Sequence, residues 1–130
     1  MKKLLERILK SIGLAVLAVV TIHSLVMANT IRGQVMNSQG SAVSGWIVTA
    51  NSKVCGLNCI DIALVTKTDS SGSFSFIGVP LSIEPLLGSP KPTPYTLQVA
   101  APGMDATKAT ALQASPKDWS DVVNVSVNVQ

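Results

Sequence analysis

The stretch Lys67-Thr68-Asp69-Ser70-Ser71-Gly72-Ser73-Phe74-Ser75-Phe76-Ile77-Gly78-Val79-Pro80 decides how the chain is read. Either Asp69 and Gly72 serve a metal ion, or they bend the chain between two strands. Asp at the first position and Gly at the fourth suit a type I turn. Asp accepts local backbone hydrogen bonds, and Gly takes the positive φ that other residues resist. A calcium loop alternates several carboxylates or amides, and Asp69 is the only carboxylate in this run. The run is therefore expected to be a turn closed by a glycine bulge, joining adjacent antiparallel strands. Asn37-Ser38-Gln39-Gly40 repeats the same chemistry between the first two strands.

Outward from the bend, apolar and polar residues alternate with the period of a half-buried strand. Phe74 and Phe76 alternate with Ser73 and Ser75; Tyr95, Leu97, Val99 and Ala101 alternate with Thr96, Gln98 and Ala100. The clearest case is Val123-Asn124-Val125-Ser126-Val127-Asn128-Val129. Ile31 and Val35 flank Gly33 in a first strand, and Trp46 to Ala50 make a second. Ala63 to Lys67 add another, and Ala106 to Leu112 a weaker one. Seven short strands separated by turn residues predict an all-β sandwich. Its expected core includes Ile31, Val35, Trp46, Val48, Phe74, Phe76, Leu97, Val99, Val125 and Val127.

The first 28 residues have a different grammar. Lys2, Lys3, Arg7 and Lys10 precede an apolar run from Ile12 that weakens toward Ala28, and Val26-Met27-Ala28 places small residues before a cut. That is the pattern of a secretory signal helix cleaved after Ala28, with an uncleaved inner-membrane anchor over residues 12–28 as the alternative. Residues 29–130 then form one domain of about a hundred residues, periplasmic or secreted. Beyond residue 28, six cations (Arg32, Lys53, Lys67, Lys91, Lys108, Lys117) balance six anions (Asp61, Asp69, Glu84, Asp105, Asp118, Asp121). The basic balance of the whole chain thus belongs to its first residues and is no argument for nucleic acid.

Cys55 and Cys59 are the only cysteines. In an oxidising compartment they are expected to form a disulfide, a loop staple worth about 2 kcal/mol by chain entropy. A redox pair more usually has two intervening residues, and a zinc site needs further Cys or His ligands. The segment Leu81 to Pro94 breaks strand grammar with Pro85, Pro90, Pro92 and Pro94. It is either a solvated connector or a binding loop.

Several of these pieces together resemble a carboxypeptidase regulatory-like domain. They are Ile31-x-Gly33-x-Val35, Gly40-x-x-Val43-x-Gly45, Thr68-Asp69-x-x-Gly72-x-Phe74, Val79-Pro80 and Tyr95-x-Leu97-x-Val99-x-Ala101-x-Gly103, over residues 30–103. The resemblance implies a seven-stranded antiparallel Greek-key sandwich of the transthyretin or prealbumin type, generally not a catalyst. The 81–94 loop and the Cys55–Cys59 insertion depart from the family pattern. A related family crosslinks a first-strand Lys to a last-strand Asn; here Asn124 and Asn128 are available, but the first strand offers Arg32 instead of Lys.

The only histidine, His23, lies in the predicted signal, so no Ser–His or Cys–His pair is available to the mature chain. The expectation is a module without enzymatic activity or cofactor, structural or protein-binding in the cell envelope. The alternative is binding of carbohydrate or another small ligand through loop 81–94 and Trp119. Trp119, Tyr95, Glu84 and Lys91 are the candidate contacts, Asn37, Gly40, Asp69 and Gly72 define turns, and no metal site is expected. Membrane contact is expected only through residues 12–28, if the signal stays attached.

Overall fold

In the computed structural model, residues 29–129 are described; the predicted signal helix lies outside them. The alternating segments become seven strands: β1 (Thr30–Asn37), β2 (Ile47–Cys55), β3 (Cys59–Lys67), β4 (Ser73–Ile77), β5 (Tyr95–Ala100), β6 (Thr110–Ala114) and β7 (Val122–Val129). They form two sheets, a three-stranded one in the order β4-β1-β7 and a four-stranded one in the order β3-β2-β5-β6. The weak strand expected from Ala106 instead opens as a 3-10 turn, Ala106–Lys108, capped by the Asp105 side chain, and β6 follows it.

The alternation puts one side of each strand between the sheets. Ile31, Val35, Val48, Phe74, Phe76, Leu97, Val99 and Val127 are buried there, with Ala50, Val79, Ala114 and Val129. Full burial of a Val, Leu or Phe side chain contributes about 1.5–3 kcal/mol. Trp46 and Val125 are only partly buried, packed against that core. Trp46 lies one residue before β2, at the end of the sandwich, where it exchanges two bonds with Thr68. Its N–H donates to Thr68 Oγ1 (3.0 Å), and its carbonyl accepts from the Thr68 N–H (2.9 Å).

Two features correct the sequence expectation. The sandwich is not wholly antiparallel, because β1 pairs with β7 in parallel, with Arg32 opposite Asn124 and Gly33 opposite Val125. The chain leaves β6 in the larger sheet and crosses to the smaller one before β7 starts, so β7 can run in the direction of β1. The Asp69–Gly72 bend, in turn, joins strands of different sheets, since β3 edges one and β4 the other. Its internal chemistry is as expected. The Gly72 N–H donates to the Asp69 carbonyl (3.0 Å), and Asp69 Oδ1 accepts from the N–H groups of Ser71 and Ser73 (both 2.9 Å) and from Ser71 Oγ (2.7 Å). These bonds, the Ser71 hydroxyl first, hold the Asp69 carboxyl below its ordinary pKa. Asn37 organises its own turn similarly, its Oδ1 accepting from the N–H groups of Gln39 and Ser41 (both 3.0 Å).

Tyr95 is likewise corrected. As the first residue of β5 it was a candidate ligand contact, yet it is fully buried. Its hydroxyl donates to the Pro80 carbonyl (2.5 Å), and burial pushes its pKa up to about 12. A polar tip is no obstacle to core burial once that tip has an acceptor.

Cys55 and Cys59 are bonded, as expected. They sit directly opposite one another as the last pair of the β2–β3 ladder, so both strands run further than their apolar alternation indicated. Loop 81–94 is ordered by buried Thr93, whose Oγ1 accepts from the Ser82 N–H (2.8 Å) and donates to the Lys91 carbonyl (2.9 Å).

Gly72 has φ +75°, and a Cβ there would lie 2.5 Å from the Val35 carbonyl oxygen. Gly72→Val is therefore expected to cost about 2 kcal/mol or more, from left-handed strain plus overlap. Urea denaturation reads this, and an unchanged midpoint would show that the bend does not hold β4 against β1. Tyr95 is the only tyrosine, so absorbance at alkaline pH titrates it directly. The midpoint is expected near 12 in the folded protein, against about 10 in urea. Because the folded value is the higher, the associated stability is complete below about pH 10 and disappears as pH rises through the folded value. Equal midpoints in the two states would contradict the burial.

Candidate functional site

The strand periodicity that fills the core also builds an outer face on the three-stranded sheet. Thr30, Arg32 and Gln34 of β1, Ser73, Ser75 and Ile77 of β4, and Asn124 and Ser126 of β7 fall on the side away from the core residues of the same strands. The registers align them in rows. Arg32 lies between Ser75 and Asn124, and Gln34 between Ser73 and Ser126. Thr30 lies between Ile77 and Val122 in the row nearest the start of β1. Together with Thr66, Lys67 and Asp69, these side chains line an open hollow of about 750 Å³.

Its hydrogen bonding is partly internal. Arg32 Nε donates to Asn124 Oδ1 (2.8 Å), which orients the guanidinium across the parallel pair. Gln34 Nε2 donates to the Ser71 carbonyl (2.9 Å), leaving its own carbonyl oxygen as an acceptor on the face. Ser71 and Ser73 hydroxyls are 3.0 Å apart beside Asp69. Among the described residues the ion pair present is Lys91–Glu84, so Arg32 and Lys67 have no carboxylate partner. The face thus offers a fixed guanidinium, an ammonium at its rim, and several hydroxyl and amide groups, with one carboxylate at the bend.

The residues singled out from sequence do not converge on one site. Glu84 and Lys91 pair with each other at 3.3 Å on the 81–94 loop, and both are solvent-accessible. Trp119 is 36% exposed on a different loop, 115–121. Tyr95 is in the core. Neither Trp119 nor residues 81–94 line this hollow, nor the smaller ones beside Asn51–Ser52 and beside Trp46 and Met104. Cys55 and Cys59 staple a hairpin tip. Asn37, Gly40, Asp69 and Gly72 shape turns, and only Asp69 of these also lines the hollow. Among the described residues no three His, Cys, Asp or Glu side chains group as metal ligands. Sequence reasoning missed Arg32 as a binding group, because alternating polar residues read strand by strand look like an ordinary solvated face. The available signal was the cation in the middle of a Ser, Thr and Asn alternation.

No family model and no curated protein matches the chain. Among solved structures, one similar fold is the dioxygenase domain of a dioxygenase carbohydrate-binding protein fusion from Streptomyces sp. SirexAA-E. It is 12% identical, with a TM-score of 0.48, over 80% of this chain and 81% of that one. Others are a chlorocatechol 1,2-dioxygenase from Pseudomonas putida (15% identity, TM-score 0.48, 78% of this chain and 59% of that one) and a hydroxyquinol 1,2-dioxygenase from Pseudomonas putida DLL-E4 (15% identity, TM-score 0.47, 72% and 42%). The chain spans only about two fifths to three fifths of these last two enzymes. These matches, all to dioxygenases, correct the expectation of a non-enzymatic structural or protein-binding module and do not carry the carboxypeptidase regulatory-like and transthyretin-like labels. At such identity and TM-score they assign this chain neither a reaction nor a substrate.

Proposed function

We propose that the chain is an exported domain that holds an acidic, hydroxyl-rich ligand of the saccharide class on the outer face of β4-β1-β7. The observation that carries this is Arg32. Asn124 fixes its Nε, and it has no carboxylate partner among the described residues, so its remaining N–H donors offer the planar fork that suits a carboxylate or sulfate. Around it, Ser73, Ser75 and Ser126 supply hydroxyls and Gln34 an acceptor, the groups that exchange hydrogen bonds with a sugar ring. Lys67 adds a second cation at the rim, so the lining carries a net positive charge even with Asp69 ionised.

Export is supported by the basic start and apolar run of residues 1–28 and by the Cys55–Cys59 bond, which suits an oxidising compartment. A Greek-key assignment belongs to the same proposal. It is supported by connections that cross between sheets after β1, β3, β4 and β6, with hairpin-type neighbours only at β2–β3 and β5–β6.

The test is a titration of the protein with an oligogalacturonate, followed by amide NMR shifts, with an uncharged maltooligosaccharide as comparison. Shifts are expected at Arg32, Ser75 and Asn124 for the acidic sugar. Arg32→Ala should weaken binding about tenfold or more, the loss of a charge-assisted contact of about 1.5–3 kcal/mol, while the melting temperature stays close to that of the parent. Equal binding of both sugars, or shifts confined to residues 81–94, would refute the assignment.

A further inference from the structure

The two ends of the sandwich differ in kind. At one end the Asn29 carbonyl accepts from the N–H groups of Gly78 (2.7 Å) and Val79 (3.3 Å), so the chain following residue 28 enters beside the start of the 81–94 loop. That loop is tied to the tip of the β2–β3 hairpin. The Cys55 N–H donates to Ser82 Oγ (2.9 Å), and the Ile83 N–H donates to the Cys55 carbonyl (2.9 Å). The tips lie side by side, since a Cβ on Gly56 would come within 3.2 Å of the Ile83 side chain. Three leucines stand out from them: Leu57 is 87% exposed, Leu86 92% and Leu87 80%. Trp119 belongs to the same end, because its loop is joined to the base of 81–94 by the Thr93 N–H donating to the Pro116 carbonyl (3.0 Å).

We propose that this end rests on a lipid bilayer, with Leu57, Leu86 and Leu87 in the boundary between headgroups and acyl chains and Trp119 at headgroup level. Three observations select a bilayer as the occupant. First, the leucines are carried on protruding loop tips instead of lining a groove, a shape that fits a deformable apolar phase. Second, the loop closes several of its own backbone bonds. The Glu84 N–H donates to the Ser89 carbonyl (2.8 Å), the Gly88 N–H to the Glu84 carbonyl (2.7 Å) and the Lys91 N–H to the Ser82 carbonyl (2.8 Å). The loop's two charges, Glu84 and Lys91, neutralise each other. Unsatisfied backbone is what keeps irregular loops out of lipid; these bonds reduce that cost, and the leucines need reach only the hydrated boundary, where water serves the rest. Third, the chain outside the described residues contains the apolar run 12–28 behind four basic residues, and it joins the domain at this same end. A segment of that composition brings whatever it is attached to against a membrane. The charges of residues 29–130 cancel, so contact is apolar and insensitive to anionic lipid.

The experiment reconstitutes the full chain in phosphatidylcholine nanodiscs and records leucine and alanine methyl and tryptophan indole NMR signals with either a lipid-tail nitroxide or a water-soluble gadolinium chelate. Leu57, Leu86 and Leu87 methyls are expected to broaden with the nitroxide about tenfold more than the methyl of Ala42 at the opposite end, and to be shielded from the chelate. Adding phosphatidylglycerol should leave that ratio unchanged. Serine at all three positions, which are exposed and so do not perturb the core, should abolish nitroxide broadening at the Trp119 indole. Methyls relaxed by the chelate as strongly as Ala42 would overturn the proposal. So would methyls shielded from the chelate without nitroxide broadening, because that pattern marks a protein partner or a second copy over the tips.

Discussion

The structure depends on the approach of one backbone to another at Gly72. The Val35 N–H donates to the Gly72 carbonyl at 2.8 Å, and the two chains come so close that a side chain on Gly72 has no room beneath the Val35 carbonyl oxygen. This contact carries the chain out of the larger sheet and starts β4 along β1 with Ser73 opposite Gln34. Every later pair follows from that first one. A slip of one residue would turn Phe74 and Phe76 outward and bring serines into the core. The same register puts Ser75 beside Arg32, so the bend that fixes the core also composes the polar face behind it. Asp69 serves as a clamp on this bend through three hydrogen bonds to one carboxylate oxygen, a role for which an acidic residue needs no metal.

Much of this was legible in the residues because period-2 alternation and Asp/Asn-x-x-Gly turns are local signals. Eight of the ten residues expected in the core are buried, and Trp46 and Val125 flank it. What stayed hidden was relational. Alternation has the same appearance in parallel and antiparallel strands, so nothing in Val122–Val129 reveals that β7 runs alongside β1 in the same direction. A turn sequence says that the chain reverses, without saying whether the two arms remain in one sheet. Tyr95 was misplaced because nothing local to it shows that the Pro80 carbonyl, fifteen residues earlier, accepts from its hydroxyl. The same limitation applies to the candidate face. Its three rows come from three strands scattered over the chain, and only the pairing brings a lone arginine between a serine and an asparagine.

Burial of polar groups shows how the two ends of the sandwich are kept in order. Asn29, Thr68 and Thr93 are the buried polar residues of the described chain, and no buried side-chain oxygen or nitrogen there lacks a partner. Each spans a junction: Asn29 to Val79, Thr68 to Trp46, and Thr93 to Ser82 and Lys91. A proline-rich loop cannot join a ladder, so such single side chains substitute for strand pairing. The Cys55–Cys59 bond closes the neighbouring hairpin, and together they present the exposed leucines from a fixed base.

Fixed presentation has a consequence for the polar face. In the small sheet β1 and β7 run away from the end where the leucines project and β4 runs toward it, and the row nearest that end is Ile77-Thr30-Val122, with Ile77 and Val122 exposed. The next row outward holds Arg32, two residues along β1 or about 7 Å further from that end. With the leucines at a bilayer surface, the apolar row lies nearest the headgroups and the polar rows stand clear in water. The face is then upright and open from the side. A polar face turned toward the lipid would have lost its water without gaining partners. The gradient from Ile77 and Val122 to Ser73, Gln34 and Ser126 is therefore the order of side chains that an upright sheet at an interface requires.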